Sequence, residues 1–441
     1  MALKHIHIAG SLLLSVFAAN SYATQFTISV TNSFTNSISI TSIKQNQLEL
    51  LDEPTSIDAL SNSNFKLTGD DDSDNQFEIQ IENEDQQLTL DVAQTNGTYS
   101  ATLVGDCDSN GIHKLCNLDL KSDDKVNRFN PEIASIHSEV AAKLSSANLS
   151  VILNPTHKGP ELNNDASKIS ILNYNVWGTW VFGSKKTKER FAAIPDQVKG
   201  YDVLALSETI DQTPTTEVLL HHLQNEYPYV TQNYHDKILD GIPRFVGSGL
   251  RVVSKYPILK QDVHYFHRCD GIQCLSSKGV VYAEINKLGQ KYHIFISHTQ
   301  SGTSFDAKND RLAQIQEIKD FIDSKKIPSD EPVIVAADLN IDKINMPDEY
   351  QAMQTTLNTT VPDISGWQYT FDPHHNHWAE GTVEYLDYVL PINDHLVPLK
   401  TANEVIPLQS TADDLWGIWD LSDHYAVAAT FEYALNPHPT R

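Results

Sequence analysis

The sequence predicts a mixed α/β domain over residues 168–434, preceded by a smaller, mostly β domain over 24–153. Three observations carry this. Residues 24–150 alternate apolar with polar side chains. Residues beyond 168 interleave short apolar runs with helical patterns. A polar stretch containing Pro and Gly, 154–167, separates the two textures as a linker. Interleaved strands and helices imply buried sheets with helices on their faces.

The first 23 residues, MALKHIHIAGSLLLSVFAANSYA, belong to neither domain. Lys4, an apolar run over 9–19, and the small residues Ser21 and Ala23 form a secretory signal pattern. Cleavage is expected after Ala23, and the protein is expected to be secreted. The apolar run is too short to span a bilayer.

In the first domain, TISVTNSFTNSISITSI, FEIQIENEDQQLTLDV and GTYSATLV repeat with period two, as half-buried strands do. Asn, Gly and Asp punctuate them as turn formers. One helix is expected near IASIHSEVAAKLSSA. Residues 24–167 hold 22 acidic and 8 basic side chains, so this domain is disproportionately acidic. GDDDSDN at 69–75 and DCDSNG at 106–111 invite a calcium reading. Asp106, Asp108, Asn110 and Gly111 fit the first half of an EF-hand loop. Its twelfth position is Asn117 rather than Glu, however, and no flanking helices are evident. Solvated acidic turns are the preferred reading. The partner of this domain is not legible in the sequence.

Across the chain, 32 basic residues face 57 acidic ones, a net charge of −25. That is a poor match for a nucleic-acid backbone, so no nucleic-acid partner is expected. Four cysteines fall in two close pairs, Cys107 with Cys116 and Cys269 with Cys274. Export permits disulfides, and neither spacing suits zinc. Two local disulfides are expected.

In the second domain, each short apolar run ends in a polar residue able to do chemistry. Asn175 follows ILNY, Glu208 follows DVLALS, and His298 follows IFIS. Asp338 and Asn340 follow VIVAA, Asp387 lies in EYLDYVL, and Asp423 with His424 precedes the last apolar run. RLAQIQEIKDFIDSKK, between such runs, has helical periodicity. Any one polar strand end is ordinarily a solvated turn. Together, carboxylates, amides and two histidines at neighbouring strand ends would converge on one cleft.

LNYNVWG, LSETI, SHTQ, ADLN, EYLDYVL and LSDHYAV, in this order, resemble the endonuclease/exonuclease/phosphatase (DNase I-like) superfamily. GLRVVSKYPI, SSKGVVYAEI, and ADLNIDKIN followed by EYQAMQTTLNTTVP bring the chain closest to the secreted bacterial neutral sphingomyelinases C. The resemblance spans most of residues 168–434. It does not reach the N-terminal domain or the tail at 435–441. It implies a four-layer α/β/β/α sandwich and a magnesium-dependent phosphodiesterase that cleaves sphingomyelin. Mn2+ or Co2+ are expected as substitutes for Mg2+. By the same resemblance, Glu208, Asn175 and Asp423 are the metal-side residues. His424 is the general base held by Asp387, His298 and Asn340 bind phosphate oxygens, and Asp338 positions water or assists the leaving alkoxide. These types suit in-line hydrolysis of a phosphodiester, which needs a near-neutral base and donors for developing charge.

Two departures stand out. Ala337 replaces the usual glycine before the ADLN aspartate. Val246 and Gly247 replace the acidic residues tied to a second, edge metal site, which is therefore not expected. In STADDLWGIWDLSDH, the position of the family's aromatic hairpin, Leu415, Trp416, Ile418 and Trp419 are expected to touch a membrane surface. The expected partner is a membrane sphingolipid, met by peripheral contact, and the protein is expected to be monomeric. The alternatives are a secreted DNase I-like nuclease with the same centre, a phospholipase C acting on another choline lipid, or an inactive binding protein.

Overall fold

The structure, a computed structural model, describes residues 24–434 apart from 47, 51–53, 70–74, 84–85, 97, 109–112, 134–135, 180–182, 211–213 and 240. The expected signal segment 1–23, the tail 435–441, the acidic run at 70–74 and the tip of the DCDSNG stretch lie outside the described residues.

The N-terminal domain holds two sheets. One runs through Val126–Phe129, Ile136–Leu144, Asn148–Pro155, Thr24–Asn32, Ser61–Gly69 and Leu48–Leu50. The other runs through Ser56–Ile57, Ile38–Asn46, Asn75–Asn83, Gln86–Thr95, Thr98–Asp108 and His113–Lys121. Phe26, Ile28 and Val30 of the first meet Phe77, Ile79 and Ile81 of the second in one buried cluster, as alternation requires. The disulfide Cys107–Cys116 joins the last two strands of the second sheet.

The helix expected near residue 140 is instead the strand Ile136–Leu144, paired antiparallel with Asn148–Pro155. Val140, Ala142 and Leu144 enter the sandwich core, whereas Ala141 packs against a tryptophan of the second domain. Ser145 Oγ accepts from the backbone N–H of Ala147 and Asn148, closing the turn at SSAN. Apolar residues on both faces blurred the period-two pattern.

The second domain has two mixed sheets. One orders Tyr229–Val230, Arg251–Ser254, Val203–Ser207, Lys168–Asn175, Ala426–Glu432, Lys400–Ile406 and Ile364–Gly366. The other orders Ile258–Tyr265, Gly279–Lys287, Gln290–His298, Val333–Asp338 and Asp387–Pro391. Their facing sides share one apolar core, with Ile169, Ile171, Val203 and Val252 against Val281, Ile294, Val335 and Val389. Phe191 and Ile194 of helix Thr187–Gln197, with Leu219 and Leu223 of Pro214–Leu223, cover the outer face of the first sheet. Ile315, Ile318 and Ile322 of helix Phe305–Ser324, with Met353 and Leu357 of Pro347–Leu357, join the second sheet. Among the described residues, no helix is long and apolar enough to cross a membrane.

The domains meet at residues 409–419. Trp419 packs on Ala141 and Ile152, with Trp416 and Val126 beside them. Arg128 Nη2 donates to the Thr411 carbonyl (2.6 Å) and to Asp413 Oδ1 (2.5 Å). Thr411 also bonds Glu139. For Leu415 and Trp419 this corrects the membrane-contact expectation. Leu415 is 1% exposed within the second domain's helical face, and Trp419 is 5% exposed under the sandwich. Trp416 and Ile418 are only partly exposed. The N-terminal domain covers Trp419, with Trp416 beside it.

Candidate active site

Strand register assembles the site. His298 ends its strand directly beside Asp338 of the parallel neighbour, and Asp338 pairs across to Asp387. On the other sheet, Asn175 ends opposite Ser207, which places Glu208 just past the strand. Asp423 and His424 lie just before the strand Ala426–Glu432, which pairs with the Asn175 strand. Six of the eight expected residues, Glu208, His298, Asp338, Asn340, Asp423 and His424, line one cleft of about 390 Å3. Asn175 and Asp387 stand behind its wall and are joined to it by hydrogen bonds.

Local backbone explains how carboxylates are delivered there. Glu208 has φ 59° and Asn340 has φ 49°, so each strand leaves its sheet through a left-handed turn. Asn tolerates that region, whereas Glu in it is strained and held by its surroundings. Gly178 is part of the support: a Cβ there would sit 2.3 Å from the Glu208 carbonyl oxygen.

On the metal side, Asn175 Nδ2 lies 3.1 Å from Glu208 Oε1 and 3.0 Å from Asp338 Oδ2. Thr179 Oγ1 donates to the other Glu208 oxygen at 2.9 Å. Burial pushes the Asp423 carboxyl up to about 7, and the neighbouring Glu208 charge pushes the same way. Two neighbouring carboxylates lining one cleft, each raising the cost of the other's charge, favour a cation between them. Glu208 and Asp423 offer hard carboxylate oxygens, which fit magnesium, while Asn175 turns its Nδ2 to Glu208 and accepts from the Trp177 backbone N–H at Oδ1. Asp338, Asp387 and His424 also bring three possible ligand atoms within 4.8 Å of one another. There, however, His424 Nδ1 is engaged by Asp387 Oδ2 at 2.9 Å, and Asp387 is fully buried. That group is built for proton transfer rather than for holding a hard ion.

The histidines differ sharply. Burial lowers the affinity of His424 for a proton, but Asp387, Asp338 and Asp423 together outweigh it and hold the imidazole well above its ordinary range. His298 is driven well below that range, first by burial and then by Lys278 and His424. Lys278 Nζ lies 3.1 Å from His298 Nε2. An ammonium only donates, so Nε2 accepts and the ring proton sits on Nδ1. Burial brings Lys278 itself down to about 8, against the pull of Asp338 and Glu208. Burial and then the Asp387 charge raise Asp338 to about 6.

Lys278, which lines the cleft, is a residue that sequence reasoning missed, although it stands in the quoted SSKGVVYAEI. Arg190 is another. It is fully buried and donates to the carbonyls of Val176 (2.9 Å), Trp177 (2.7 Å) and Leu421 (2.8 Å). It thereby ties the Asn175 loop to the segment that carries Asp423 and His424. The disulfide Cys269–Cys274 closes a short loop whose Ile272 and Gln273 form part of the cleft rim.

Residues 172–424 match the Endonuclease/Exonuclease/phosphatase family. The chain belongs to that family. It is 32% identical to a sphingomyelinase C of Bacillus cereus over 293 residues, 59% of this chain and 86% of that one. It is 31% identical to a phospholipase C of Staphylococcus aureus, over 65% of this chain and 95% of the other. Among solved structures, a beta toxin of Staphylococcus aureus aligns with TM-score 0.54 at 30% identity, covering 59% of this chain and 99% of the toxin. A mutant of that toxin with bound magnesium ions aligns with TM-score 0.53 at 30% identity, over 60% of this chain and 99% of its own. The family match begins after the N-terminal sandwich.

Proposed function

We propose that this phosphodiester hydrolase is an exported, magnesium-dependent sphingomyelinase C that releases phosphocholine and leaves ceramide. The observation that carries the reading is a carboxylate-held His424 sharing one cleft with the Glu208 and Asp423 carboxylates, on a chain 32% identical to a sphingomyelinase C. Trp177, Phe371, Glu380 and Glu384 line the same cleft. Aromatic faces and carboxylates suit a quaternary ammonium head group. The acidic balance of the chain disfavours the nuclease reading.

Glu208, Asn175 and Asp423 would hold the ion. A magnesium ion bound there supplies charge neutralisation on the phosphate and on the leaving oxygen. In its neutral form, reached once a bound cation offsets the carboxylates that hold it protonated, His424 takes the proton of the attacking water at Nε2, while Asp387 holds Nδ1–H and stabilises the imidazolium that forms. His298 Nδ1–H and the Asn340 amide donate to phosphate oxygens as charge grows. Lys278 fixes the His298 tautomer. Asp338, close to both imidazoles, orients them and the water.

Purified protein should release phosphocholine from sphingomyelin vesicles with Mg2+ and stop when the ion is chelated. His424→Ala should abolish release. Plasmid cleavage lost in His424→Ala, with sphingomyelin untouched, would replace this reading with the nuclease one.

A further inference from the structure

Outside the catalytic cleft, the edge strand Ile258–Tyr265 and helix Phe305–Ser324 bring a second set of metal-ligating side chains together. His264, His267 and Glu317 each offer one donor atom, all within 4.8 Å of one another. His264 Nε2 lies 2.7 Å from Glu317 Oε2, and the same oxygen accepts from the His267 backbone N–H at 3.2 Å. The two imidazoles stand with centroids 5.6 Å apart, and the His264 ring is flanked by Phe266 and Phe321. His264 and Glu317 side chains are 29% and 18% exposed, and His267 is exposed, so the cluster opens to solvent on one side.

We propose that His264, His267 and Glu317 bind a divalent transition metal of the zinc class, and that this ion ties the loop at the cleft rim to the helix beneath. Two imidazoles and one carboxylate, with a free fourth position for water, are a donor set zinc accepts. Nitrogen donors select it over magnesium, which takes oxygen. Zinc would replace the proton shared by His264 and Glu317. Zinc would draw the three donors, now within 4.8 Å of one another, onto one ion. The ring contacts with Phe266 and Phe321 orient His264.

The link to the cleft is short in sequence. His267 precedes the Cys269–Cys274 loop, whose Ile272 and Gln273 line the cleft. That loop is already tied to the same helix, because Gln314 Nε2 donates to the Arg268 carbonyl at 2.7 Å. A metal bridge from His267 to Glu317 would add a second tether one turn away on that helix.

The test uses the untagged full chain, stripped of metal and held in excess Mg2+ to fill the catalytic centre. Zn2+ is then titrated into wild type, His267→Ala, Glu317→Gln and Glu208→Gln. Exposed His267 and the isosteric Glu317 change leave the fold intact, as circular dichroism would verify. The expected result is one zinc per chain in wild type and Glu208→Gln. Affinity should fall at least about 10-fold in the other two, since even loss of an outer-shell partner typically costs about 10–100-fold. Zinc should also slow amide hydrogen exchange over 266–275 in wild type and not in His267→Ala. Equal zinc affinity in wild type, His267→Ala and Glu317→Gln would overturn the site and leave only a His–Glu hydrogen bond. Loss confined to Glu208→Gln would assign the ion to the catalytic centre. Binding without slowed exchange would overturn the tether.

Discussion

Asp387→Asn removes one charge and almost no volume. Asp387 is fully buried, and its Oδ2 lies 2.9 Å from His424 Nδ1. Its other oxygen has no hydrogen-bond partner. An asparagine there has two choices. Its oxygen can keep the bond to Nδ1–H, which buries an unpartnered NH2. Alternatively, its NH2 can face the ring, which requires Nδ1 to be bare and moves the ring proton to Nε2, where water must be activated. The first choice forfeits a charge-assisted hydrogen bond of about 1.5–3 kcal/mol, or roughly 10–150-fold. The second removes the base, worth about 10²–10⁴-fold. Burial opposes protonation of His424, and Asp387 is foremost among the charges that favour it, so the imidazolium also loses its main support. We expect kcat for phosphocholine release from sphingomyelin vesicles to fall about 10²–10⁴-fold, or about 3–5 kcal/mol. Asp387→Asn/His424→Ala should be no worse than His424→Ala alone, because the two act as a unit. Activity within about 3-fold of wild type in a folded Asp387→Asn would refute this pairing.

Three further outcomes follow from the same geometry. Lys278→Met should cut kcat about 10–100-fold, the value of a hydrogen bond to a charged group, and a smaller change would mean that His298 does not need its partner. Trp416→Ala/Trp419→Ala should lower the melting temperature and uncouple the domains in calorimetry, with vesicle binding unchanged. Removing a buried Trp typically costs about 3–5 kcal/mol, and lost vesicle binding with the domains still docked would restore the membrane-contact reading. His157 belongs to the linker, with its Nε2 sealed and unpartnered although the residue as a whole is partly exposed, and burial brings it down to about 4. The unfolded chain takes up that proton first, so stability present above pH 6.5 is lost as pH falls towards 4. His157→Gln should remove up to about 3 kcal/mol of this acid sensitivity, and an unchanged pH dependence of urea unfolding would contradict it.

The residues that gather at the cleft were legible because each sits at the end of an apolar run, and strand register then brings them together. His298, Asp338 and Asp387 fall on three adjacent strands in direct register, so reading the run ends was enough. Lys278 lies before its strand in a polar stretch, where a lysine reads as solvated surface. Arg190 lies in a helix with an ordinary polar pattern, and nothing local reveals that four carbonyls surround its guanidinium. The strand at 136–144 was misread because its apolar run is not confined to the sandwich face: Ala141 on the other face packs against Trp419. The same contact explains the tryptophans. An aromatic loop expects a nonpolar partner, and the sequence does not distinguish lipid from a neighbouring domain.

The most direct test of the account is hydrolysis of sphingomyelin in 18O-labelled water with Mg2+, with both products read by mass spectrometry. If His424 activates water for attack at phosphorus, one 18O appears in the phosphocholine phosphoryl group and none in ceramide. Label in ceramide, or free choline with the phosphate left on ceramide, would contradict it.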